Sequence, residues 1–120
     1  MSRLAELEQE ISTEVRRLLD RLAVFTPQRL AAPAPPYASR AAAVHALAQR
    51  FVDITADLEG AASVPSLLWV DELVVVDQLA VTHQDLRFAL EAHRNRNDPE
   101  MSQRLTDLLA DVRRIRVAVG

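Results

Sequence analysis

The amino-acid sequence predicts an all-α fold, a four-helix bundle with a long Pro-rich crossover between helices one and two. Apolar residues recur at steps of three or four along most of the chain, which is the period of an amphipathic helix. No set of segments alternates apolar and polar residues with period two, as the strands of a sheet would. With 120 residues, 49% of them hydrophobic and 26% charged, the chain fits one soluble globular domain covering residues 1–120.

The first predicted helix covers residues 3–25. Ser2 is a suitable N-cap, and Thr26-Pro27 is a suitable stop because proline cannot continue a helix. The apolar side chains of this segment form one stripe, which predicts one buried face. The stripe consists of Leu4, Leu7, Ile11, Val15, Leu18, Leu22 and Phe25.

A Pro-rich linker, residues 26–38, follows the first helix and has no apolar periodicity. Extended polyproline rises about 3.1 Å per residue, so this linker is long enough to run the length of a bundle. That length allows helices one and two to be parallel. The alternative is that helix one packs on another chain.

The second predicted helix covers residues 40–59, and Gly60 is its expected C-cap. Small side chains at Ala41, Ala48 and Val52 widen its apolar stripe and favour close approach to a neighbouring helix. The larger members of the stripe are Val44, Leu47, Phe51, Ile54 and Leu58.

The third predicted helix covers residues 66–94, after a short link at residues 60–65. It carries two apolar seams along its length, so we expect it to touch at least two neighbours. One seam holds Val70, Val74, Val81 and Phe88, and the other holds Leu68, Val75, Leu79, Leu86 and Leu90. The alternative for Val74–Val76 is a short buried strand, but no segment elsewhere would pair with it.

The fourth predicted helix covers residues 99–118 and has a clear start in Asp98-Pro99-Glu100: an N-cap, a proline at the first position and an acid in the first turn. A short loop joins it to the third helix, which predicts an antiparallel hairpin and an up-down-up order for the last three helices. Its apolar stripe is Met101, Leu105, Leu108, Val112, Ile115 and Val119.

The first half of the third predicted helix has more apolar surface than a four-helix core needs. A third apolar sector there lies outside the two seams, and surplus apolar surface is typical of an interface. The sector consists of Trp69, Leu73, Val76 and Ala80. We therefore expect a non-enzymatic interaction module, either a homo-oligomer or a small subunit of a larger complex, with Trp69 as the anchor.

The composition narrows the remaining function classes. The chain has no cysteine and no lysine, which excludes thiol and lysine nucleophiles, disulfides and Cys-ligated metals. A net charge of −3 and an N-terminus without signal-peptide character favour a cytoplasmic protein that does not bind nucleic acid or membranes. Two arginine groups remain open as sites for a phosphate or an acidic partner. They are Arg94, Arg96 and Arg104, and Arg113, Arg114 and Arg116.

Neither a metal nor a cofactor is expected. No glutamate has a histidine three residues later, as a di-iron carboxylate bundle requires. His83 and His93 would lie about 15 Å apart along a helix, too far to share a metal ion.

The one enzyme alternative comes from the segment Arg87-Phe88-Ala89-Leu90-Glu91-Ala92-His93. This segment resembles the Arg-x(4–6)-His motif of helical HEPN-type ribonucleases. The resemblance implies that Arg87 contacts the scissile phosphate and that His93 transfers protons at a dimer interface. In this chain Phe88 follows the arginine, where the family usually has a polar residue.

Overall fold

Four long helices and one short helix form the protein in a computed structural model that describes residues 3–94 and 98–120. The bounds are α1 Arg3–Leu22, α2 Pro27–Leu30, α3 Arg40–Leu58, α4 Glu72–Ala92 and α5 Pro99–Val119. The described residues contain no strand, and the helices pack around a core of buried aliphatic side chains. The predicted all-α helical bundle is therefore confirmed.

Each long helix packs mainly on two others. Helix α1 packs on α5 and α4, and α3 packs on α4 and α5, so α1 faces α3 across one diagonal and α4 faces α5 across the other. The apolar stripe predicted for α5 is buried in full, and that of α3 is buried except for Val52, which is half-buried. The stripe of α1 is buried from Leu7 onward, and Leu4 at its start is half-buried.

Contacts between α1 and its two neighbours fix their directions. Arg113 of α5 approaches Glu10 of α1, and Arg21 near the end of α1 donates to the Gly120 carbonyl at 2.6 Å, so α1 and α5 are parallel. In α4, the residues that meet α1 run in the opposite order: Ser12 contacts His83, whereas Glu8 contacts Arg87. Helices α1 and α4 are therefore antiparallel.

Ion pairs between α3 and α5 complete the topology. Arg50 pairs with Asp111, and Asp57 further along α3 pairs with Arg104 at 2.7 Å, so α3 and α5 are antiparallel. The four long helices therefore run up, down, down, up. The predicted up-down-up order of the last three helices is wrong, and α3 and α4 are parallel neighbours.

The Pro-rich segment stays at one end of the bundle instead of running along it. Thr26 caps the short helix α2 by accepting from the Arg29 backbone N–H, and Arg40 at the start of α3 donates to the Arg29 carbonyl at 2.9 Å. The buried Phe25 ring lies 4.9 Å from the guanidinium of Arg21 and 4.8 Å from that of Arg40. Because α1 ends and α3 begins at this end, α1 and α3 are antiparallel, and the parallel arrangement allowed by the linker length is not adopted.

The link that crosses the length of the bundle is residues 59–71, between α3 and α4. It runs back alongside α3, where Gln49 donates to the Pro65 carbonyl at 2.9 Å and accepts from the Leu67 N–H at 2.8 Å. His45, one turn earlier in α3, contacts the Leu67 carbonyl at 3.1 Å. This path brings the chain back to the end of the bundle where α3 began, so that α4 can start parallel to α3.

The start of α4 differs from the prediction of a helix beginning at residue 66. Asp71 is the N-cap, and its carboxylate accepts from the N–H groups of Leu73 and Val74 at 2.9 Å each. A carboxylate that satisfies the first free N–H groups fixes the helix start at the next residue. Residues 66–70 therefore belong to the crossing link.

Candidate functional site

Helix α4 presents two apolar faces with different surroundings. The inner face packs into the core and includes Val75, Leu79 and Leu86, which are at most 1% exposed. Leu73, Val76 and Ala80 follow one another at steps of three and four, so they share a second face of α4, on which Val76 still packs against the edge of the core. Leu73 is 53% exposed, Ala80 is exposed, and Val76 is half-buried.

Trp69 does not lie on the same helical face as these residues, because α4 begins after it. The indole packs edge-to-face on His45 of α3 with ring centroids 5.6 Å apart, and 48% of the residue stays exposed. The prediction that Trp69 continues the stripe of Leu73 along one helix is wrong. It lies two residues before the N-cap Asp71, at the end of α4 that carries Leu73.

Exposed apolar side chains are concentrated in the crossing link and α4. Among the described residues, seven of the nine large hydrophobic side chains that remain exposed fall between residues 64 and 88. They are Val64, Leu68, Trp69, Val70, Leu73, Val81 and Phe88. The other two, Val24 and Val117, lie at separate places in the sequence, after α1 and near the end of α5.

A cavity of about 520 Å³ opens between the second half of α3, the crossing link and the first half of α4. Helical periodicity places its α4 wall, which includes Val74, Gln78 and Asp85, on the flank opposite Val76 and Ala80. The cavity and the face of Leu73 are therefore separate features of α4.

Two buried polar atoms on the cavity-lining residues have no hydrogen-bond partner, the Thr55 hydroxyl and the Gln78 side-chain oxygen. Gln78 donates its amide to the Leu68 carbonyl at 3.0 Å, which fixes the side chain. Thr82, also on the wall, differs from Thr55 because its hydroxyl donates to the Gln78 backbone carbonyl at 2.8 Å. A buried unsatisfied polar group costs roughly 1–3 kcal/mol, so the fold carries two unfavourable groups at this one place.

The ionisable residues that line the cavity are all acidic: Glu59, Asp77 and Asp85. Each is exposed, and none forms an ion pair within the described residues. The cavity therefore combines apolar walls with a negatively charged rim.

Arg113, Arg114 and Arg116 form the second arginine group predicted from the sequence. They approach two buried carboxylates on the side of the bundle opposite the cavity. Glu14 is 5% exposed and lies 3.1 Å from Arg116 and 3.9 Å from Arg113. Asp111, 6% exposed, pairs with Arg114. These guanidinium groups neutralise the chain's own buried acids.

In the first arginine group, Arg94 and Arg104 have carboxylate partners. Arg94 donates to Glu91 at 2.8 Å, and Arg104 lies 2.7 Å from Asp57. Arg96 falls outside the described residues. The described members of both arginine groups therefore have intramolecular carboxylate partners.

His83 forms a half-buried contact between α4 and α1. A ring nitrogen lies 3.2 Å from the Ser12 hydroxyl, and the ring packs edge-on against Phe51 at 5.7 Å. Burial, together with the positive charges of Arg87 and Arg16, lowers the pKa of the imidazole from 6.5 to about 4. The ring is therefore neutral in the fold near pH 7 and joins two helices.

Arg87 and His93, the residues of the ribonuclease alternative, have different surroundings. The Arg87 guanidinium lies 3.9 Å from Glu8 of α1, whereas His93 is the C-cap of α4, with its N–H donating to Ala89 at 3.1 Å. Six helical residues correspond to about 9 Å along the axis and about 240° around it. The two side chains of one chain therefore face different directions, and the ribonuclease alternative stays a prediction.

Two further predictions concern metal and membrane binding. In residues 3–94 and 98–120, no group of three or more His, Asp or Glu side chains is arranged to hold a metal ion. Over the same residues, no helix combines the length and the apolar character needed to cross a membrane.

The sequence prediction missed the cavity residues Thr55, Gln78 and Asp85. Gln78 and Asp85 lie between the two apolar seams of the third predicted helix, and polar residues at such positions carry no signal of a cavity. Thr55 sits beside Ile54 and Leu58 of the buried stripe, and a polar residue on a buried face is the signal that identifies it. The cavity itself depends on the path of the crossing link, which local periodicity does not contain.

Comparison of the chain with protein-family models, curated proteins and solved structures finds no match.

Proposed function

We propose that the protein is a non-enzymatic interaction module that pairs with a second copy of itself. The observation that carries this proposal is the concentration of exposed large apolar side chains in residues 64–88. Contiguous exposed apolar patches are uncommon on monomeric soluble proteins and mark interaction sites. We define the contact surface as Leu73, Val76 and Ala80 of α4 together with Trp69 of the crossing link.

The chemistry of the contact surface favours a second copy as its partner. Its four residues are uncharged, and homodimer interfaces are more apolar than those of transient complexes. In a twofold dimer the same patch meets itself, so the apolar residues of one copy meet those of the other. Ala80 is small and lies along the face from Leu73, so two α4 helices can approach closely there.

Trp69 supplies the anchor on the link side of the contact surface. Its indole is supported on one edge by His45 and leaves about half of its surface free. A large aromatic side chain held in place by packing loses little conformational entropy when a partner covers it. A chain without cysteine needs no oxidising compartment, and we propose that the pair works in the cytoplasm.

Leu73→Glu tests this proposal. A carboxylate at this position would be desolvated in the interface, so we expect the variant to be monomeric with unchanged helicity. Val117→Glu is the matched control, because Val117 is 79% exposed on a helix and lies outside the contact surface. Sedimentation velocity and circular dichroism of the two variants and the wild type give the readout.

We expect Val117→Glu to sediment as the wild type does and Leu73→Glu to sediment as a single chain. Equal association of Leu73→Glu and the wild type contradicts the proposal. A monomeric wild type that gains mass only with a different protein contradicts the second copy and indicates a subunit of a larger complex.

A further inference from the structure

Three arginines surround the ring of Phe25 at the end of the bundle where α1 and α5 end and α3 begins. Their guanidinium carbons lie 4.9 Å (Arg21), 5.1 Å (Arg29) and 4.8 Å (Arg40) from the ring centroid. These distances are within the roughly 6 Å over which an aromatic face attracts a cation. Phe25 itself is 5% exposed, so a packed ring holds three positive charges close together. We call Arg21, Arg29 and Arg40 the Phe25 cluster.

Main-chain carbonyls fix two of the three guanidinium groups and leave donors unused. Arg21 donates through Nε to the Gly120 carbonyl at 2.6 Å. Arg40 donates through Nε to the Val119 carbonyl and through Nη1 to the Arg29 carbonyl, at 2.9 Å each. Within the described residues, the Nη groups of Arg21 and the whole guanidinium of Arg29 make no hydrogen bond. A guanidinium has five N–H donors in a rigid fork, so positioned donors remain for a ligand.

Acidic side chains do not balance the positive charge of the Phe25 cluster. In residues 3–94 and 98–120 none of its members forms an ion pair, whereas all four arginines of α5 have carboxylate partners. The end of α5 contributes about half a negative charge, and the end of α1 is offset by the start of α3. Even with a carboxylate group at Gly120, at least one positive charge remains unbalanced.

We propose that the Phe25 cluster binds a dianionic phosphate group, as free phosphate or as a small phosphate monoester. Guanidinium forks match phosphate oxygens in bidentate geometry, and hydrogen bonds between charged groups are stronger than neutral ones. A dianion balances two of the three positive charges, whereas a carboxylate balances one. The cluster is compact and its only ring is buried, so it lacks the extended basic groove and the exposed aromatic groups that bind nucleic-acid strands.

Three probes test the charge preference at about pH 8, where a phosphate monoester is a dianion because its second pKa is about 6. They are inorganic phosphate, phenyl phosphate and benzoate at constant ionic strength. We expect both phosphates to shift the Nε–Hε NMR signals of the Phe25 cluster, and benzoate to bind at least five times more weakly. Tighter binding of phenyl phosphate identifies a monoester as the ligand, and tighter binding of inorganic phosphate identifies the free ion. Equal binding of benzoate, or no shift at millimolar phosphate, would overturn the proposal.

Two variants with the same change of charge test the position of the site. Arg29→Gln removes a guanidinium that makes no hydrogen bond, so we expect the fold to persist and phenyl phosphate to bind at least five times more weakly. Arg94→Gln is the control, because Arg94 is exposed, pairs with Glu91 and lies at the opposite end of the bundle. It should leave binding unchanged. Equal weakening by both variants would indicate a general charge effect and contradict a site at Phe25.

Diphenyl phosphate tests the alternative of a nucleic-acid backbone, because a phosphodiester carries one negative charge. We expect it to bind at least five times more weakly than phenyl phosphate. Binding as tight as that of phenyl phosphate would replace the dianion by a nucleic-acid backbone and overturn the proposal.

Leu73→Glu separates this proposal from the pairing of two chains, because the Phe25 cluster and the contact surface share no residue. The variant should bind phenyl phosphate as the wild type does, whether or not the wild type pairs. Loss of phosphate binding in Leu73→Glu would contradict a site formed within one chain.

Discussion

The two sides of the bundle differ in whether their buried polar groups have charged partners. On the side of α1 and α5, the buried carboxylates of Glu14 and Asp111 have arginine partners. On the side of the crossing link and α4, the Thr55 hydroxyl and the Gln78 oxygen are buried without partners, and the surrounding surface is apolar. We call these the ionic side and the apolar side.

This difference distinguishes the side whose charged groups stabilise the fold from the side whose surface remains available for binding. The ionic side neutralises its buried carboxylates within one chain, although Glu14 Oε2 and Arg116 Nε, 3.1 Å apart, form no hydrogen bond. The apolar side keeps exposed hydrophobic surface and unsatisfied polar atoms, both of which lower stability in an isolated chain. Features that lower stability without helping the fold are expected where a protein binds something else.

The largest expected effect is on the free energy of unfolding, when leucines on the buried and exposed faces of α4 are each replaced by alanine. Leu79→Ala removes a fully buried side chain and should lower the free energy of unfolding by about 3 kcal/mol, within the usual range of roughly 2–5. Leu73→Ala, on the exposed face, should change the stability of the single chain by less than about 0.5 kcal/mol. Urea unfolding over a range of protein concentrations measures both.

The loss for Leu79→Ala should be the same at every protein concentration. The loss for Leu73→Ala should grow with concentration as pairing begins to contribute to stability. A large, concentration-independent loss for Leu73→Ala would place that side chain in the core and contradict its assignment to the contact surface.

The second prediction concerns the ionic side. Glu14→Gln removes a buried charge beside Arg113 and Arg116 and should cost about 2 kcal/mol, since bonds to charged groups are the stronger ones. Glu10→Gln is the control, because the Glu10 side chain is 47% exposed and lies 3.9 Å from Arg113. We expect a change below about 0.5 kcal/mol for the control. Similar losses in urea unfolding for both variants would refute the special role of the buried acid.

The third prediction concerns His83, which joins α4 to α1. Ser12 and Arg16 of α1, Phe51 of α3 and Arg87 of α4 surround its ring. Because its pKa is near 4 in the fold and near 6.5 when unfolded, the unfolded chain binds more protons between these values. The stability contributed by the neutral ring is therefore complete above pH 6.5 and is lost as the pH falls toward 4.

We expect this loss to be about 1–2 kcal/mol, less than the full linkage value because solvent screens the partly exposed ring. His83→Gln keeps a polar group near Ser12 but does not titrate, so its stability should change less over this interval. Glu8, whose pKa is raised by burial, contributes with the opposite sign in both proteins and is removed by taking their difference. Identical pH profiles from urea unfolding at pH 4–7 would show that the ring is not neutral in the fold.

The smallest expected effect is the difference in stability between valine substitutions at two threonines that line the cavity. Thr55→Val removes an unpartnered hydroxyl and should leave stability unchanged or raise it by up to about 1 kcal/mol. Thr82→Val removes a hydroxyl that donates to a backbone carbonyl and should lower stability by about 1 kcal/mol. Thermal unfolding measures the difference, and a loss for Thr55→Val equal to that of Thr82→Val would mean that Thr55 has a partner.

The fold class and three of the four apolar stripes were predictable because they depend on local periodicity. The stripe of α5, for example, repeats at steps of four and three from Met101 to Val119, and all six of its members are buried. An amphipathic period determines which face of a helix is inside, whatever the neighbours are. It does not determine which helices are neighbours.

The topology was not predictable because it depends on the exact start of α4. When residues 66–70 are assigned to the helix, the link before it is too short to cross the bundle. With Asp71 as N-cap, residues 59–71 extend up to about 40 Å, more than the length of about 28 Å of the 19-residue α3. The acidic pair Asp71-Glu72 was the available signal, but the apolar residues on both sides of it concealed the boundary.

The excess of apolar residues around Leu73 was predictable, but their arrangement was not. Leu73, Val76 and Ala80 follow helical spacing, whereas Trp69 is placed by its contact with His45. The cavity was not predictable, because Thr55 and Gln78 are brought together by the return of the crossing link along α3. Contacts between distant parts of a sequence are absent from local patterns.

Static light scattering of the wild-type protein after size exclusion, at two concentrations tenfold apart, tests the central proposal most directly. We expect a mass approaching twice the chain mass of 13.4 kDa at the higher concentration. A mass of one chain at both concentrations would contradict pairing through the contact surface on α4 and the crossing link.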